Sequence, residues 1–127
     1  MSVQRQAGPA GATYSSATTA SGSGHWIYVS GQLPVDGDGR PVGGSLAAQT
    51  GACFDRVADV LAREGATLND VVRIAAYLTS LDDYAAYSRI RGERFDGVLP
   101  ASTAVGVARL LGDALVEIDA VAFVAAG

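Results

Sequence analysis

The sequence has 127 residues, 49% of them hydrophobic, which fits one globular domain with a single core and is too short for two. Its net charge of −4 disfavours nucleic acid as a partner, because phosphate binding needs clustered basic side chains. Without lysine there is no Schiff-base chemistry, and one cysteine with one histidine cannot form a Cys/His metal site, so we expect neither a metal nor an organic cofactor.

No segment resembles a targeting or membrane sequence. Residues 1–16 contain no apolar core of the signal-peptide type, and no stretch approaches the roughly 18 apolar residues of a membrane span. We therefore expect a cytoplasmic protein with no membrane partner.

The N-terminal segment, residues 1–24, is rich in glycine, alanine, serine and threonine and offers little to a core. We expect residues 1–10 to be poorly ordered. Residues 12–20 have the β-branched and aromatic content of a strand, which we predict at the edge of a sheet.

A stronger strand signal follows a Ser-Gly turn at residues 21–24. The apolar run 25–30 predicts a strand, and Gly31 marks a bulge or a place where another group approaches the backbone closely. The Asp-Gly repeat at 36–40 predicts a tight turn. It resembles the opening of a calcium loop, but no acidic residue follows at the spacing that such a loop needs.

Residues 45–64 have apolar side chains at amphipathic helix spacing. Ser45 provides an N-cap, and Gly65 a C-terminal stop. Cys53 lies inside this pattern, and a small buried thiol is favoured over a nucleophile because no histidine or asparagine lies nearby in sequence to activate it.

The nearly continuous apolar run at 70–80 predicts a strand buried on both faces. Ser80 and the two aspartates after it indicate the start of a second helix that runs to about Phe95, weakened by Gly92. Two final strands, 102–109 and 114–124, are separated by a short Leu-Leu-Gly-Asp connection, which predicts an antiparallel hairpin.

These elements follow the order β-β-α-β-α-β-β within a single domain, residues 1–127. Two amphipathic helices are best buried on one face of one mixed sheet, so we predict an α+β sandwich of two layers. The other sheet face then has no cover and too few polar residues to be left in water. We infer that it packs on other subunits.

Alternation places two acidic residues of the last strand, Glu117 and Asp119, on the same face. A carboxylate among apolar neighbours loses hydration unless it is paired, and such a group suits proton transfer, which makes Glu117 a candidate. Asp119, nearer the strand end, is better explained as a solvated or structural residue. In the preceding strand, Ser102 and Ala104 belong to a face of small residues that leaves room for a neighbour or a ligand.

Four motifs, in order along nearly the whole chain, resemble the RidA/YjgF family, the reactive-intermediate deaminases. They are YVSGQLPV from Tyr28, DVVRIAAYLTSLDDYAAYS from Asp70, PASTAVGVARL from Pro100 and LVEIDAVA from Leu115. The resemblance implies a chorismate-mutase-like fold, a homotrimer, and small-molecule clefts at the subunit interfaces. It also implies hydrolysis of reactive enamines and imines to 2-oxo acids and ammonia, with no cofactor.

The resemblance assigns roles by position. Glu117 matches the acidic residue that positions and activates water. Ser30 and Gly31 match residues that line the cleft, and Tyr14 matches a tyrosine that reaches in from the first strand. Ala104 occupies a position where several members carry a cysteine.

Ser102 departs from the family pattern. Deaminating members have Pro-Ala-Arg at this point, and their arginine binds the substrate carboxylate, whereas this chain has Pro-Ala-Ser. A hydroxyl donates one neutral hydrogen bond in place of a bidentate charged pair. Arg109 cannot simply replace the arginine, because alternation points it to the opposite face.

Three interpretations remain open. The chain is an enzyme of the Rid type, in a subgroup lacking the arginine, that acts on a neutral or differently charged substrate. Alternatively it is a trimer that binds or senses a small molecule without turnover. Ribonuclease or protein-interaction roles, also attributed to the family, receive no support from the acidic charge.

Overall fold

A six-stranded mixed sheet with two helices on one face makes up the chain in the computed structural model, which describes residues 2–127. This is the predicted α+β, two-layer arrangement. The strands are β1 (Val3–Ala7), β2 (Ser15–Ala20), β3 (Gly24–Gln32), β4 (Val71–Leu78), β5 (Ala101–Gly106) and β6 (Val116–Ala125), and the helices are α1 (Leu46–Arg63) and α2 (Tyr84–Phe95). From edge to edge the strands run β1-β2-β5-β4-β6-β3.

The core lies between the two helices and one face of the sheet. Phe54 of α1 and Phe95 of α2 are fully buried and pack edge to face, with ring centroids 5.4 Å apart. Alternate residues of the central strands complete this core, among them Ile74, Ala76, Ile118 and Ala120.

The opposite side of the sheet, called the open face below, is covered by neither helix. The sequence predicts that β4 is buried on both faces, but within one chain only its core face is. The other face is formed by alternate residues of the three central strands: Arg73, Ala75, Tyr77, Thr103, Val105, Glu117, Asp119 and Val121.

The N-terminal prediction is wrong in two respects. Within residues 1–10, of which Met1 lies outside the described residues, Val3–Ala7 forms β1 and pairs antiparallel with β2. The segment is held by long-range contacts, because the Arg5 guanidinium donates to backbone carbonyls of Asn69, Val71 and Leu99. As a result β2 is an interior strand instead of an edge, and the sheet has six strands instead of five.

The predicted hairpin between the last two strands is also wrong, because β4 lies between them. Ile74 of β4 pairs with Ser102 of β5 in parallel and with Ala120 of β6 in antiparallel register. The connection wraps around the end of β4, where Val107 donates its N–H to the Leu78 carbonyl. The mainly apolar β4 lies between β5 and β6, and in this central position the apolar residues of its core face are fully buried.

Both predicted helices form. The Ser45 hydroxyl accepts a hydrogen bond from the Ala48 N–H at 3.1 Å, which caps α1 as expected. Helix α2 begins at Tyr84, later than predicted, because the Ser80 hydroxyl accepts the Asp82 N–H within the preceding turn.

Candidate active site

The carboxylate predicted to act as acid and base lies against a bulge in the neighbouring strand. Strand β3 loses its register with β6 between Val29 and Gln32. There Gly31 comes so close to Glu117 that a Cβ added at the glycine would stand 2.9 Å from the carboxyl carbon. Gly31 therefore marks both a bulge and a close approach, as predicted, and Ser30 is exposed on the same bulge.

A cavity of about 540 Å³ opens beside this carboxylate. Glu117 and the loop 109–113, which begins with Arg109, form its lining. Strand β5 ends at Gly106, short of the predicted 109, so Arg109 lies in the loop and strand alternation does not determine where it points. The cavity offers two carboxylates, those of Glu117 and Asp113, and the guanidinium of Arg109.

Asp119 has a direct partner on the open face. The Tyr77 hydroxyl of β4 donates a hydrogen bond to Asp119 Oδ2 at 2.8 Å. This hydrogen bond, together with the negative charge of the carboxylate, raises the pKa of Tyr77. The contact ties β4 to β6 and agrees with the interpretation of Asp119 as a structural residue.

Cys53 lies in α1 and is fully buried against β6. Burial, with a smaller contribution from the charge of Glu117, raises the pKa of its thiol to about 12. The thiol is therefore protonated at neutral pH and unsuited to nucleophilic attack. No group of three or more His, Cys, Asp or Glu side chains within residues 2–127 is arranged to hold a metal ion.

The other predicted site residues lie at the core side of the sheet, around an arginine of α2. Arg91 is 2% exposed and donates from Nη1 to the Ser102 hydroxyl at 3.0 Å. Its guanidinium carbon lies 5.2 Å from the ring centroid of Tyr14. Ala104 follows on the same face of β5 as Ser102 and packs against the core.

The structure does not bring all predicted site residues together within one chain. Ser102 pairs with Ile74, a core-face residue, whereas Glu117 pairs with Tyr77 on the open face. Ser102 and Glu117 therefore do not line one cleft within a single chain. Strand alternation puts the two side chains on opposite sides of the sheet.

Comparison with known proteins assigns the family. Residues 5–124 match the family model described as Endoribonuclease L-PSP. The chain belongs to the L-PSP/Rid family. It is 39% identical over 101 residues to a RutC family protein of Pyrococcus abyssi, covering 79% of this chain and 80% of the relative. It is 32% identical over 114 residues to the mitochondrial protein MMF1 of Saccharomyces cerevisiae, covering 90% of this chain and 77% of that protein.

Solved structures of the L-PSP/Rid family share the fold. YyfB of Yersinia pestis, described as a Rid family protein, superimposes with a TM-score of 0.84 at 32% identity, covering 98% of this chain and 100% of that chain. TdcF of Escherichia coli, solved with bound serine, gives a TM-score of 0.75 at 25% identity, covering 84% and 91%. No helix within residues 2–127 has the length and apolarity to cross a bilayer. Since one relative is named as mitochondrial, a cytoplasmic location stays a prediction.

Sequence reasoning missed Arg91 in this Rid-family chain, although its position carries a signal. Tyr84, Tyr87 and Arg91 follow one another at helical spacing on one side of α2, and Tyr87 is fully buried. An arginine on the buried stripe of a helix needs partners inside the protein. Those partners come from distant segments, so the spacing alone does not identify them.

Proposed function

We propose that three copies of this Rid-family chain form a homotrimer whose interface clefts hydrolyse a small imine or enamine, with Glu117 as acid and base. The observation that carries the proposal is the position of the Glu117 carboxylate, which contacts Gly31 and lies beside a cavity of about 540 Å³. General acid–base catalysis needs a carboxylate held in one place next to space for substrate and water. Membership of the Rid family supports the reaction class.

One carboxylate can serve every proton movement in imine hydrolysis. Glu117 accepts a proton from water while the water oxygen bonds to the carbon of a protonated imine, giving a carbinolamine. It returns that proton to nitrogen, and then takes the hydroxyl proton as the C–N bond breaks and the C=O forms. Ammonia leaves and takes up the remaining proton as ammonium.

The open face supports assembly into a trimer. It exposes apolar side chains of interior strands, such as Val105, which is 41% exposed, and the neighbouring Tyr28 of β3 is 76% exposed. In addition, Glu117 and Ser102 lie on opposite sides of one sheet. A cleft that uses both must take one from each of two chains.

Ser102 supports either a substrate that differs from the usual 2-imino acids or one whose carboxylate is held in another way. Relatives that deaminate those acids are expected to hold the carboxylate directly with an arginine at this position. The serine contacts a ligand through one hydroxyl, so we expect weaker turnover of serine-derived and threonine-derived enamines than an arginine would give.

Substitution of Glu117 by glutamine tests the proposal. The amide keeps the size of the side chain but cannot accept a proton from water, so 2-oxo acid release from amino-acid-derived enamines, or turnover of any other imine, should fall at least about a hundredfold. Asp119→Asn is the matched control and should retain most turnover. Equal rates for Glu117→Gln and the unaltered protein would remove Glu117 from the mechanism.

The second candidate is a trimer that binds a small molecule without turnover. The bound serine in the crystal structure of Escherichia coli TdcF supports this alternative. Under it, Glu117→Gln changes only affinity, and no imine is hydrolysed above the background rate. Ribonuclease activity, which the family description names, is not favoured by a net charge of −4.

A further inference from the structure

Arg91 is a buried cation whose partners are all uncharged. Its side chain is 2% exposed, and it takes part in no ion pair within residues 2–127. The guanidinium instead donates to four hydroxyl oxygens, at 3.0 to 3.5 Å: those of Thr13, Ser88, Ser102 and Tyr84. A buried positive charge among neutral groups is costly unless an anion balances it.

Three tyrosine rings surround the same cation. The guanidinium carbon lies 5.1 Å from the ring centroid of Tyr87, 5.2 Å from that of Tyr14 and 5.9 Å from that of Tyr84. The Tyr87 hydroxyl is buried and has no hydrogen-bond partner within residues 2–127. Its nearest polar neighbours are Ser102 and Arg91, so the cluster contains hydrogen-bond donors but no anion to balance the buried charge.

The hydroxyl groups around Arg91 keep hydrogens available for a ligand. Each oxygen accepts from the guanidinium, so its own O–H must be donated elsewhere. Thr13 and Ser88 bond each other at 2.9 Å, which uses one of their two hydrogens. Ser102 and Tyr84 are both partly exposed, and neither donates to a carbonyl or carboxylate oxygen within residues 2–127. The Ser102 hydroxyl lies near that of Tyr87, to which it can donate when no ligand is bound. Both hydrogens can therefore turn toward a ligand beside a positive charge.

We propose that Arg91, Ser102 and Tyr84 form an anion site that binds the carboxylate of the ligand, with the two hydroxyl groups as donors. Arg91 is the positioning residue: it orients both hydroxyls and supplies a charge that strengthens their hydrogen bonds. A single cation behind two neutral donors matches a monoanion better than a dianion such as phosphate. The inference rests on the proposed function in that Ser102 is taken to line the ligand cleft between two chains.

This site explains how Ser102 stands where relatives use an arginine. The guanidinium comes from α2 instead of β5, and it acts through hydroxyl groups instead of contacting the carboxylate itself. Arg91 also links α2 to the loop of Thr13 and to β5. If that were its only role, its substitution would lower the stability of the fold but would not change the preference for a charged ligand over a neutral one.

Calorimetric titration with pyruvate and with its neutral amide, pyruvamide, tests the site. The unaltered protein should bind pyruvate at least about tenfold more tightly than pyruvamide, and added NaCl should reduce that preference. Ser102→Ala and Tyr84→Phe should each weaken pyruvate binding about tenfold, with little change for pyruvamide. Phosphate should bind more weakly than pyruvate.

Variants of Arg91 separate charge from packing. Arg91→Lys keeps the charge and should retain part of the preference for pyruvate, whereas Arg91→Met should abolish it. Arg89→Met, an exposed site on the same helix, is the control and should behave as the unaltered protein. If Arg91→Met does not fold, the Ser102 and Tyr84 variants carry the test.

The inference is overturned if the unaltered protein binds pyruvate and pyruvamide equally, or not at all. It is also overturned if Ser102→Ala and Tyr84→Phe leave the preference unchanged, or if phosphate binds more tightly than pyruvate. Its failure can be told apart from failure of the proposed function, because Glu117→Gln should keep the preference for pyruvate. Absence of turnover with the preference intact would contradict only the hydrolysis.

Discussion

At position 31 the chain has room for a hydrogen atom and nothing larger. A methyl group in Gly31→Ala would overlap the Glu117 carboxylate, so either the carboxylate or the bulge must move. We expect turnover to fall at least about tenfold, with a loss of stability of about 1–3 kcal/mol, the usual cost of overpacking. Steady-state kinetics and urea unfolding measure the two effects.

Gly37→Ala is the matched control for Gly31→Ala. A Cβ at Gly37 meets nothing within 4 Å, so neither turnover nor stability should change measurably. Turnover by Gly31→Ala at the rate of the unaltered protein would show that the close approach does not fix the carboxylate.

The residues of the candidate site differ in how far the sequence could predict them. Glu117 stands out because a carboxylate interrupts an apolar strand, and Gly31 because a glycine interrupts another, so each carries a local signal. Arg91 carries a weaker local signal, since its hydrogen-bond partners Thr13 and Ser102 are 78 and 11 residues away along the chain. Only the folded chain brings these hydroxyl groups to the guanidinium.

At the scale of elements, helix α2 contains a glycine that its packing requires. A Cβ at Gly92 would stand 2.7 Å from Cγ2 of Thr13. Alanine usually stabilises a helix interior by about 1 kcal/mol relative to glycine. Here we expect Gly92→Ala to give no gain or a loss, because Thr13 must move away from the helix. Urea unfolding measures the change.

Removal of the obstructing methyl group provides the control. Thr13→Ser deletes Cγ2 but keeps the hydroxyl that accepts from Arg91. In that background Gly92→Ala should recover part of the gain of about 1 kcal/mol, because Cβ of residue 13 would still stand 3.2 Å from the new methyl group. If Gly92→Ala is equally stabilising in both backgrounds, contact with Thr13 is not what keeps glycine at this position.

The elements that the sequence predicts well are those with local signals. Helix α1 has a regular apolar stripe and a capping serine, and β4 a continuous apolar run. Strand β1 has no such local signal. It is held in place by pairing with β2 and by the contacts of Arg5 with distant carbonyls, which the sequence of the segment does not reveal. The β5–β6 hairpin fails for a related reason: a short connection suggests adjacent strands, but the sheet inserts β4 between them.

At the scale of the whole molecule, the sheet separates the two halves of the proposed site. Glu117 and its cavity lie on the open-face side of β6, and the cluster around Arg91 lies on the core side of β5. A cleft between two chains can take the carboxylate from one chain and the Arg91 cluster from the other. Activity should therefore belong to the assembly and not to the single chain.

Mixing two defective variants tests this shared site. One variant is Glu117→Gln, and the other combines Ser102→Ala with Tyr84→Phe, so each damages a different half. Co-expression with two affinity tags yields mixed trimers, which light scattering should confirm by mass. Some clefts in these trimers receive both intact halves, so turnover per chain should exceed that of either variant alone. If both halves served one cleft within a single chain, mixing could give only the average of the two rates, and that result would contradict the shared site.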